Sequence, residues 1–330
     1  MQQPDLFAPA AAPEPPATPA PVGPRANIWV GTCSWADPSL IKAGTFYPPR
    51  SSSESRLRFY ATQFPIVEVD SSYFALPSAQ NAGLWVERTP AAFRFNIKAF
   101  RLFTGHQTPP AAFPADLQPL LPALKGRSRN HYDADLPAEL RDEMWRRYLE
   151  AIVPLKDSQK LIAVHFQFAP WVSATPEWTA HVEDCVQRMR GHLVAVEFRN
   201  RSWLADEART ARTLAWLREL GVVHTVVDEP QGVGNHIPSV WEVADPRLAI
   251  VRLHGRNAET WDAKGLASSA ERFNYEYGDG ELDELAGHTL SLAEQAFTVA
   301  LLVNVNYGDQ GIRAARRLLA KLGSAAPQKP

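Results

Sequence analysis

Eight short apolar runs, rich in β-branched residues, recur along the chain and limit the folds open to it. Such runs are typical of buried strands. They occupy residues 28–35, 66–73, 93–99, 161–168, 193–199, 222–228, 248–255 and 298–306. Most of the intervals have helical periodicity, although the one before the seventh run contains proline and glycine and no clear helix. The alternation predicts a single (β/α)8 TIM-type barrel, an α/β fold, with a doubly wound open sheet as the alternative.

Three residues mark the expected ends of helices. Ser78 and Asp206 stand where helix N-caps should be, and Gly221 stands where a C-cap should be. No glycine-rich dinucleotide fingerprint follows any of the eight runs, which favours the barrel over the open sheet.

Six of the runs end in two polar residues spaced i, i+2, with apolar residues beside them. These pairs are Glu68/Asp70, Asn96/Lys98, His165/Gln167, Glu197/Arg199, Arg252/His254 and Asn304/Asn306. Side chains of a strand alternate between its two faces, so the apolar set should face the helices and the polar set should face the barrel axis. The pairs therefore predict a polar pocket at the carboxyl ends of the strands, where barrel enzymes place their chemistry.

A structural role is the alternative for the deeper member of each pair. Glu68, Asn96 and Arg252 fit either role, because barrel interiors hold satisfied ion pairs. The members nearer the mouth favour a function, since desolvated charges are costly without one. These are Asp70, Lys98, Arg199 and His254.

Composition narrows the class of protein. The formal net charge of −2 argues against broad binding to nucleic acid or to acidic membranes. The chain has two cysteines, Cys33 and Cys185, which suits a reducing cytoplasm and offers no zinc-ligand spacing. No apolar run reaches the roughly 18 residues that span a bilayer, and no secretory signal is evident. We expect a cytoplasmic protein with no membrane partner.

The two ends of the chain differ from its middle. Residues 1–26 are mostly proline and alanine and predict an extended, disordered tail. Residues 323–330 predict a second frayed end, so the expected barrel covers residues 27–322.

Seven motifs in order resemble the YecE-like family, also called domain of unknown function 72. They are Gly-Thr-Cys-Ser-Trp at 31–35, Phe-Tyr-Pro at 46–48, Val-Glu-Val-Asp-Ser-Ser-Tyr-Phe at 67–74, Lys-Ala with Arg101 at 98–101, Glu-Phe-Arg with Ser-Trp at 197–203, Arg-Leu-His-Gly at 252–255 and Asn-Val-Asn-Tyr-Gly-Asp-Gln at 304–310. The resemblance implies a barrel of this type, likened to endonuclease IV and sugar isomerases. Departures from the family pattern lie in Cys33-Ser34, Val305 and Asn306, near strands one and eight.

A metal-independent enzyme is the first interpretation of the pocket: a hydrolase, lyase or isomerase acting on a polyhydroxylated or phosphorylated substrate. Carboxylates and a histidine would supply acid/base catalysis, namely Asp70, Glu197, Asp228 and His254. Cations and polar or aromatic side chains would bind the substrate, namely Trp35, Tyr73, Lys98, Gln167, Arg199, Trp203, Arg252, Asn304 and Asn306. No cofactor is predicted.

A metal-dependent phosphodiesterase or isomerase is the second interpretation, in which a divalent metal is held by histidines and carboxylates. The candidate ligands are Asp70, His106, His165, Glu197, Asp228 and His254. No close-spaced ligand motif occurs, and lysine and arginine beside the same site would repel a cation.

A binding protein for nucleic acid is the third interpretation. Gln3-Pro4-Asp5-Leu6-Phe7 resembles the peptide by which bacterial replication and repair proteins bind the sliding clamp. In a disordered tail, Leu6 and Phe7 can fill an apolar pocket while Gln3 hydrogen-bonds beside it. A chance match is the alternative.

The connection between the third and fourth runs is unusually long. It covers about residues 101–160, far above the usual two to six residues of a βα connection. Because it begins at the mouth side of the barrel and includes His106, we expect it to cover the pocket. An elaborated surface helix without a gating role is the alternative.

Overall fold

A computed structural model describes residues 17–324 of the chain, except residues 233, 235, 264, 267 and 268. Within that part of the chain, no helix is both long and apolar enough to cross a membrane.

Eight parallel strands close into a barrel, each paired with its sequence neighbours and the eighth with the first. They are β1 (Ile28–Cys33), β2 (Ile66–Val69), β3 (Arg94–Lys98), β4 (Leu161–Gln167), β5 (Val194–Glu197), β6 (Val223–Asp228), β7 (Ala249–Leu253) and β8 (Val299–Val303). The barrel predicted from the alternation of runs is confirmed, and the open sheet is excluded. At Gly31 an added Cβ would overlap the Ile66 carbonyl, so glycine permits the close approach of β1 to β2.

Helices lie in most of the intervals between strands and after the last one. They are α1 (Pro38–Ala43), α2 (Ser53–Gln63), α3 (Ser71–Phe74), α4 (Ala79–Glu87), α5 (Ala138–Asp157), α6 (Pro176–Arg188), α7 (Glu207–Leu220), α8 (Asp279–Gln295) and α9 (Gln310–Ser324). The Ser78 hydroxyl accepts from Asn81 N, and Asp206 accepts from Arg209 N at 2.8 Å. Gly221 ends α7 in the left-handed conformation, so all three predicted caps are confirmed.

The interval between β6 and β7 has no helix in its described residues, in line with its proline- and glycine-containing sequence. Extended chain takes the helix position instead. The Val240 carbonyl lies 3.1 Å from His224 Nε2, and Trp241 stacks on His288 of α8 with ring centroids 4.7 Å apart. Through these contacts, the extended segment completes the outer layer where a helix is missing.

The alternation along the strands separates two apolar clusters. The larger cluster lies between barrel and helices and includes Val67, Val69, Ile97, Phe166 and Val251. The smaller cluster plugs the barrel interior, and its buried members are Cys33, Ile66, Ala163, Ala195, Val223, Leu248, Ile250, Ala300 and Leu302. The interior positions that follow along the same strands, towards their carboxyl ends, carry the polar pairs.

Residues 17–26, expected in the extended tail, contact the barrel. The Thr18 hydroxyl donates to the Phe64 carbonyl at 3.0 Å, and Val22 forms an antiparallel bridge with Ile28. Arg25 donates to the carbonyls of Ala293 and Glu294 at the end of α8. The folded part of the chain therefore begins before residue 27. At the other end α9 continues to Ser324, two residues beyond the expected limit.

Candidate active site at the mouth of the barrel

A buried guanidinium lies at the centre of the polar layer. Arg252 on β7 donates to Glu68 Oε1 at 2.7 Å, to Glu197 Oε2 at 2.6 Å and to Gln167 Oε1 at 3.0 Å. Asn96 donates to the second oxygen of Glu68 at 2.9 Å. Side chains from β2, β3, β4, β5 and β7 thus meet through one arginine, and the charges inside the barrel are paired.

Glu197 is held ionised by its surroundings. Although burial alone would raise it, the neighbouring Arg252 guanidinium keeps the pKa of Glu197 well below its usual range. His165 Nε2 lies 3.3 Å from Glu197 Oε2, and His254 Nε2 lies 3.4 Å from Glu197 Oε1. A carboxylate held ionised in this way is a poor proton donor, and its place beside Arg252 and two histidines suits an orienting group.

His254 is neutral in this setting, because burial lowers its pKa to about 4. The side-chain amide of Asn304 lies 2.8 Å from Nδ1 of the ring, and Asn306 donates to Asn304 Oδ1 at 3.2 Å. Asn304 thus holds one side of the ring, and Nε2 on the other side faces Glu197 without a hydrogen bond among the described residues.

Lys98 and Asp70 connect the buried layer to the surface. Lys98 Nζ lies 3.0 Å from Asp70 Oδ1 and donates to Gln167 Oε1 at 3.2 Å. The ammonium group also lies 4.6 Å from the centre of the Tyr73 ring. The Asp70 side chain is 25% exposed and that of Lys98 is 7% exposed, so Asp70 is the carboxylate of this group that reaches solvent.

Three cations surround His106 at the mouth. Burial, together with the charges of Lys98, Arg101 and Arg199, lowers the pKa of His106 to about 3. Arg199 lies 2.7 Å from Glu229 Oε2 and 3.3 Å from Glu197 Oε1. Arg101 lies over the Tyr73 ring, its Nε is buried without a hydrogen-bond partner, and it has no carboxylate partner among the described residues. The sequence pattern did not place Arg101 in the site; only the motif resemblance included it.

A cleft of about 410 Å³ opens beside Asp70. Two phenylalanines line it, Phe74 after β2 and Phe273 before α8, and the Phe74 side chain is 55% exposed. The polar part of its lining consists of Ser34, Asp37, Asp70, Ser71 and Asn306. The cleft therefore combines aromatic faces with hydrogen-bonding oxygens and leads to the Asp70–Lys98 pair.

Asp228, expected in the pocket, lies on the other face of β6. It points to the same face of the strand as Val226, which packs in the outer cluster. There it pairs with Arg256 at 2.7 Å and accepts from the Tyr277 hydroxyl at 2.6 Å. The next residue, Glu229, has the inward phase and binds Arg199. This could have been predicted from the sequence, because period-2 alternation places Glu229 on the same face as Val223 and Thr225.

Two of the predicted aromatic residues pack away from the mouth. Trp35 contacts Trp85 of α4 and Phe95 on the outer face of β3. Trp203 stacks on Phe198 at 4.2 Å and also on Trp216 of α7, and its indole donates to the Val172 carbonyl. Both rings belong to the layer between strands and helices, so neither can stack on a substrate in the pocket.

The connection between β3 and β4 divides into two parts. Residues 101–106 reach the mouth: Arg101 N donates to the Tyr73 carbonyl, and the rings of His106 and Tyr73 lie 5.1 Å apart. Helix α5 belongs instead to the belt, where Trp145 stacks on Phe103 and Phe166. The prediction that residues 101–160 cover the pocket is therefore wrong for α5. The short loop 101–106 makes the contacts at the mouth.

The candidate metal ligands come together only in part: His165 and His254 lie near Glu197, whereas Asp228 lies on the other face of β6. Among the described residues, no three histidine, cysteine or carboxylate side chains are arranged to hold a metal ion. Glu68 and Glu197 flank the Arg252 guanidinium, a cation already present between them. The clamp-binding peptide, with Gln3, Leu6 and Phe7, lies outside the residues that the structure describes.

Comparisons with known proteins agree with this architecture. The chain matches the family described as "Protein of unknown function DUF72" over residues 29–330. It is 31% identical over 297 residues to UPF0759 protein YunF of Bacillus subtilis (strain 168), covering 89% of this chain and 94% of that protein. A crystal structure of a DUF72 family protein from Enterococcus faecalis V583 superposes with a TM-score of 0.72 at 27% identity, covering 89% of this chain and 95% of that one.

A second crystal structure, of a DUF72 family protein from Thermotoga maritima MSB8, has a TM-score of 0.69 at 24% identity. It covers 90% of this chain and 99% of the other, and at this identity it supports the fold alone. The family match spans nearly all of the barrel, as do the curated relative and the solved structures. The chain therefore belongs to the DUF72 family.

Proposed function

We propose that this barrel is an enzyme for an anionic, polyhydroxylated substrate such as a sugar phosphate, with Asp70 as the acid/base group. The observation that carries the proposal is the position of Asp70. Its carboxylate lines the 410 Å³ cleft and lies 3.0 Å from Lys98, one of the three cations around His106. A substrate in the cleft would thus have a proton-transfer group and an anion-binding group side by side.

Arg101 and Lys98 are the main anion-binding groups in this proposal. Arg101 has no carboxylate partner within the described part of the chain, so its guanidinium can bind a phosphate or carboxylate in bidentate fashion. Lys98 is charged: although burial lowers its pKa, the carboxylates of Asp70 and Glu68 together raise it above the usual value. Arg199 stands beside them, held by Glu229 and Glu197.

The cleft suits the neutral part of such a substrate. Phe74 and Phe273 offer ring faces for the apolar side of a sugar, and Asp37, Ser71 and Asn306 offer hydrogen bonds to hydroxyl groups. The buried layer beneath would act through position. Arg252 binds Gln167, and Gln167 in turn binds Lys98. Glu197 lies beside His254, 3.4 Å from its Nε2.

A metal-dependent reaction is less well supported by the donor set, since Arg252 lies between the two best-buried carboxylates. Clamp binding through Gln3, Leu6 and Phe7 remains a separate proposal that none of these contacts addresses.

Calorimetry with inorganic phosphate and glucose 6-phosphate tests the anion site. We expect Arg101→Gln to weaken binding at least tenfold. Arg94→Gln is the matched control, because Arg94 lies at the opposite end of the same strand, β3. Equal affinity in wild type and Arg101→Gln would show that the anion binds elsewhere or not at all.

Catalysis is tested by incubating the protein with a panel of phosphorylated sugars and following the products by NMR. We expect Asp70→Asn to reduce turnover by about 10²–10⁴-fold, the usual contribution of one acid/base group, while phosphate affinity is largely kept. Full turnover in Asp70→Asn would remove Asp70 from the mechanism. If phosphate binds but no sugar phosphate is converted, the site is a binding site and the enzymatic part of the proposal is wrong.

A further inference from the structure

A second cavity, of about 170 Å³, lies behind the loop that carries His106. It is bounded by Gly105, by the 3-10 turn Asp133–Asp135, and by the first turns of α5 and α6. The charged and polar groups on its wall are Tyr132, Asp133, Arg141, Glu177 and His181, with the Trp178 ring beside them. None of these six residues belongs to the candidate active site.

Arg141 on this wall is poorly satisfied. Its guanidinium makes one contact, to Asp133 Oδ2 at 3.4 Å, and its Nε is buried without a partner among the described residues. A guanidinium carries five N–H donors, and this side chain is 36% exposed, so its other donors can bind water or a ligand in the cavity. Such a group at the edge of a cavity is suited to a carboxylate.

The opposite charge is also available on the wall. Asp133 is 17% exposed and has Arg141 as its one ion-pair partner in the part of the chain that the structure describes, while the Glu177 carboxylate has none there. Burial raises the pKa of Asp133, which reflects incomplete neutralisation of its charge. His181 uses Nε2 on the Phe103 carbonyl, 2.9 Å away. The wall thus combines two carboxylates with one arginine and an aromatic face, which suits an ammonium group.

We propose that this cavity binds a small zwitterion of the α-amino acid type. Arg141 would bind its carboxylate, Asp133 and Glu177 would bind its ammonium group, and Trp178 would pack against its side chain. The size agrees, since a cavity of about 150 Å³ holds a molecule of benzene's size and alanine has a similar number of heavy atoms. The site is independent of the function proposed for the mouth.

Occupancy would be felt at the mouth through Gly105. This residue lines the cavity, its carbonyl accepts from the Trp171 indole at 2.9 Å, and the next residue is His106. A ligand packed against Gly105 should restrain the 101–106 loop. Hydrogen exchange then provides a readout that needs no knowledge of the reaction.

The test is calorimetric titration of the full chain with L-alanine, with acetate and ethylammonium as ligands that carry one charge each. We expect saturable binding of L-alanine, weak binding of the single-charge ligands, and slower hydrogen exchange over 101–107 when L-alanine is bound. Arg141→Gln and Glu177→Gln should each weaken binding at least tenfold. Arg146→Gln is the control, because Arg146 lies on the same helix and is exposed in pairs with Glu143 and Glu150.

Three results would overturn the proposal. They are absence of saturable L-alanine binding at millimolar concentrations, affinity unchanged in both Arg141→Gln and Glu177→Gln, and acetate binding as tight as that of L-alanine. Circular dichroism checks that the variants fold. Because the Glu177 carboxylate makes no hydrogen bond or ion pair within the described residues, Glu177→Gln keeps the test valid even if Arg141→Gln is unstable.

Discussion

Arg252, Glu68 and Glu197 are almost completely buried, and the arginine contacts both carboxylates at 2.7 and 2.6 Å. Burying three charges is costly, and their mutual attraction offsets that cost only while every member is present. Around Arg252, the pKa of both carboxylates is lowered in spite of their burial. The group therefore stabilises the charged state of each member, and the loss of one leaves its partners unpaired.

Replacing Arg252 by methionine should be strongly destabilising. Two carboxylates would then stay buried without their cation, and the free energy of unfolding should fall by about 3–5 kcal/mol. Urea denaturation at pH 7 measures the change. The exposed Arg146→Met should stay within roughly 0.5 kcal/mol of wild type. A small effect at Arg252 would mean that water or another cation reaches Glu68 and Glu197.

Histidine protonation should govern part of the pH dependence of stability. Burial lowers the pKa of His224 from 6.5 to about 4. The unfolded chain therefore takes up this proton below pH 6.5 while the folded chain does not, and stability is lost as the pH falls from 6.5 to 4. Asp228 and Glu229, whose pKa values burial raises, act in the opposite sense, so the effect is best measured as a difference between variants.

In His224→Gln the stability lost over this range should be smaller, by about 1.4 kcal/mol per pH unit where the two states differ by a full proton. Urea titrations of both proteins at pH 7, 6, 5 and 4 give the comparison. Parallel curves would show that His224 is protonated equally in the folded and unfolded chains.

At the level of elements, period-2 alternation correctly predicts which residues point into the barrel along each regular strand. Glu68, Lys98, Arg252 and His254 all lie in the polar layer that the alternation predicts. Asp228 was assigned by its place at a strand end rather than by its phase. The phase of the same strand leads to Glu229, which binds Arg199.

Beyond a strand's last ladder bond, alternation alone does not fix direction: Asp70 and His254 keep the inward phase of β2 and β7, and other residues do not. Trp35 and Trp203 follow β1 and β5, and both turn towards the helices because apolar partners are available there. The same limit applies to Arg101, which follows β3 and turns over Tyr73 at the mouth. Sequence periodicity could not distinguish these outcomes, since they depend on contacts between distant elements.

Two glycines test the role of the 101–106 loop. Gly105 has a φ of +77°, and an added Cβ would lie 3.0 Å from Val172 Cγ2 and close to Trp178. Gly105→Ala should therefore lower the melting temperature and speed hydrogen exchange around His106. Gly83, in the interior of α4 with open space around it, is the counterpart. Gly83→Ala should stabilise by about 0.4–1 kcal/mol. Equal effects of the two substitutions would contradict a strained, packed loop at the mouth.

At the scale of the whole molecule, the repetition of strand and helix was sufficient for the barrel, because each unit must bury its apolar face against the next. The first residue of the folded region was harder to predict from the sequence. Residues 17–26 are rich in proline and alanine, and their contacts with the barrel use backbone groups and single side chains such as Thr18 and Arg25. Contacts of this kind leave no periodic pattern in a sequence.

Truncation tests whether this N-terminal segment supports the barrel. A chain starting at residue 17 keeps every contact that the structure describes and should unfold with the wild-type free energy. A chain starting at residue 27 loses the Thr18–Phe64 bond, the backbone pair between Val22 and Ile28, and the two bonds from Arg25 to the end of α8. For these five hydrogen bonds, at about 0.5–1.5 kcal/mol each, the loss should be roughly 2.5–7.5 kcal/mol by urea denaturation. Arg25→Gln in the full chain should reproduce part of it, because the carbonyls of Ala293 and Glu294 lose their charged donor. If the chain starting at residue 27 is as stable as the one starting at residue 17, the segment contributes nothing to the barrel and the contacts are incidental.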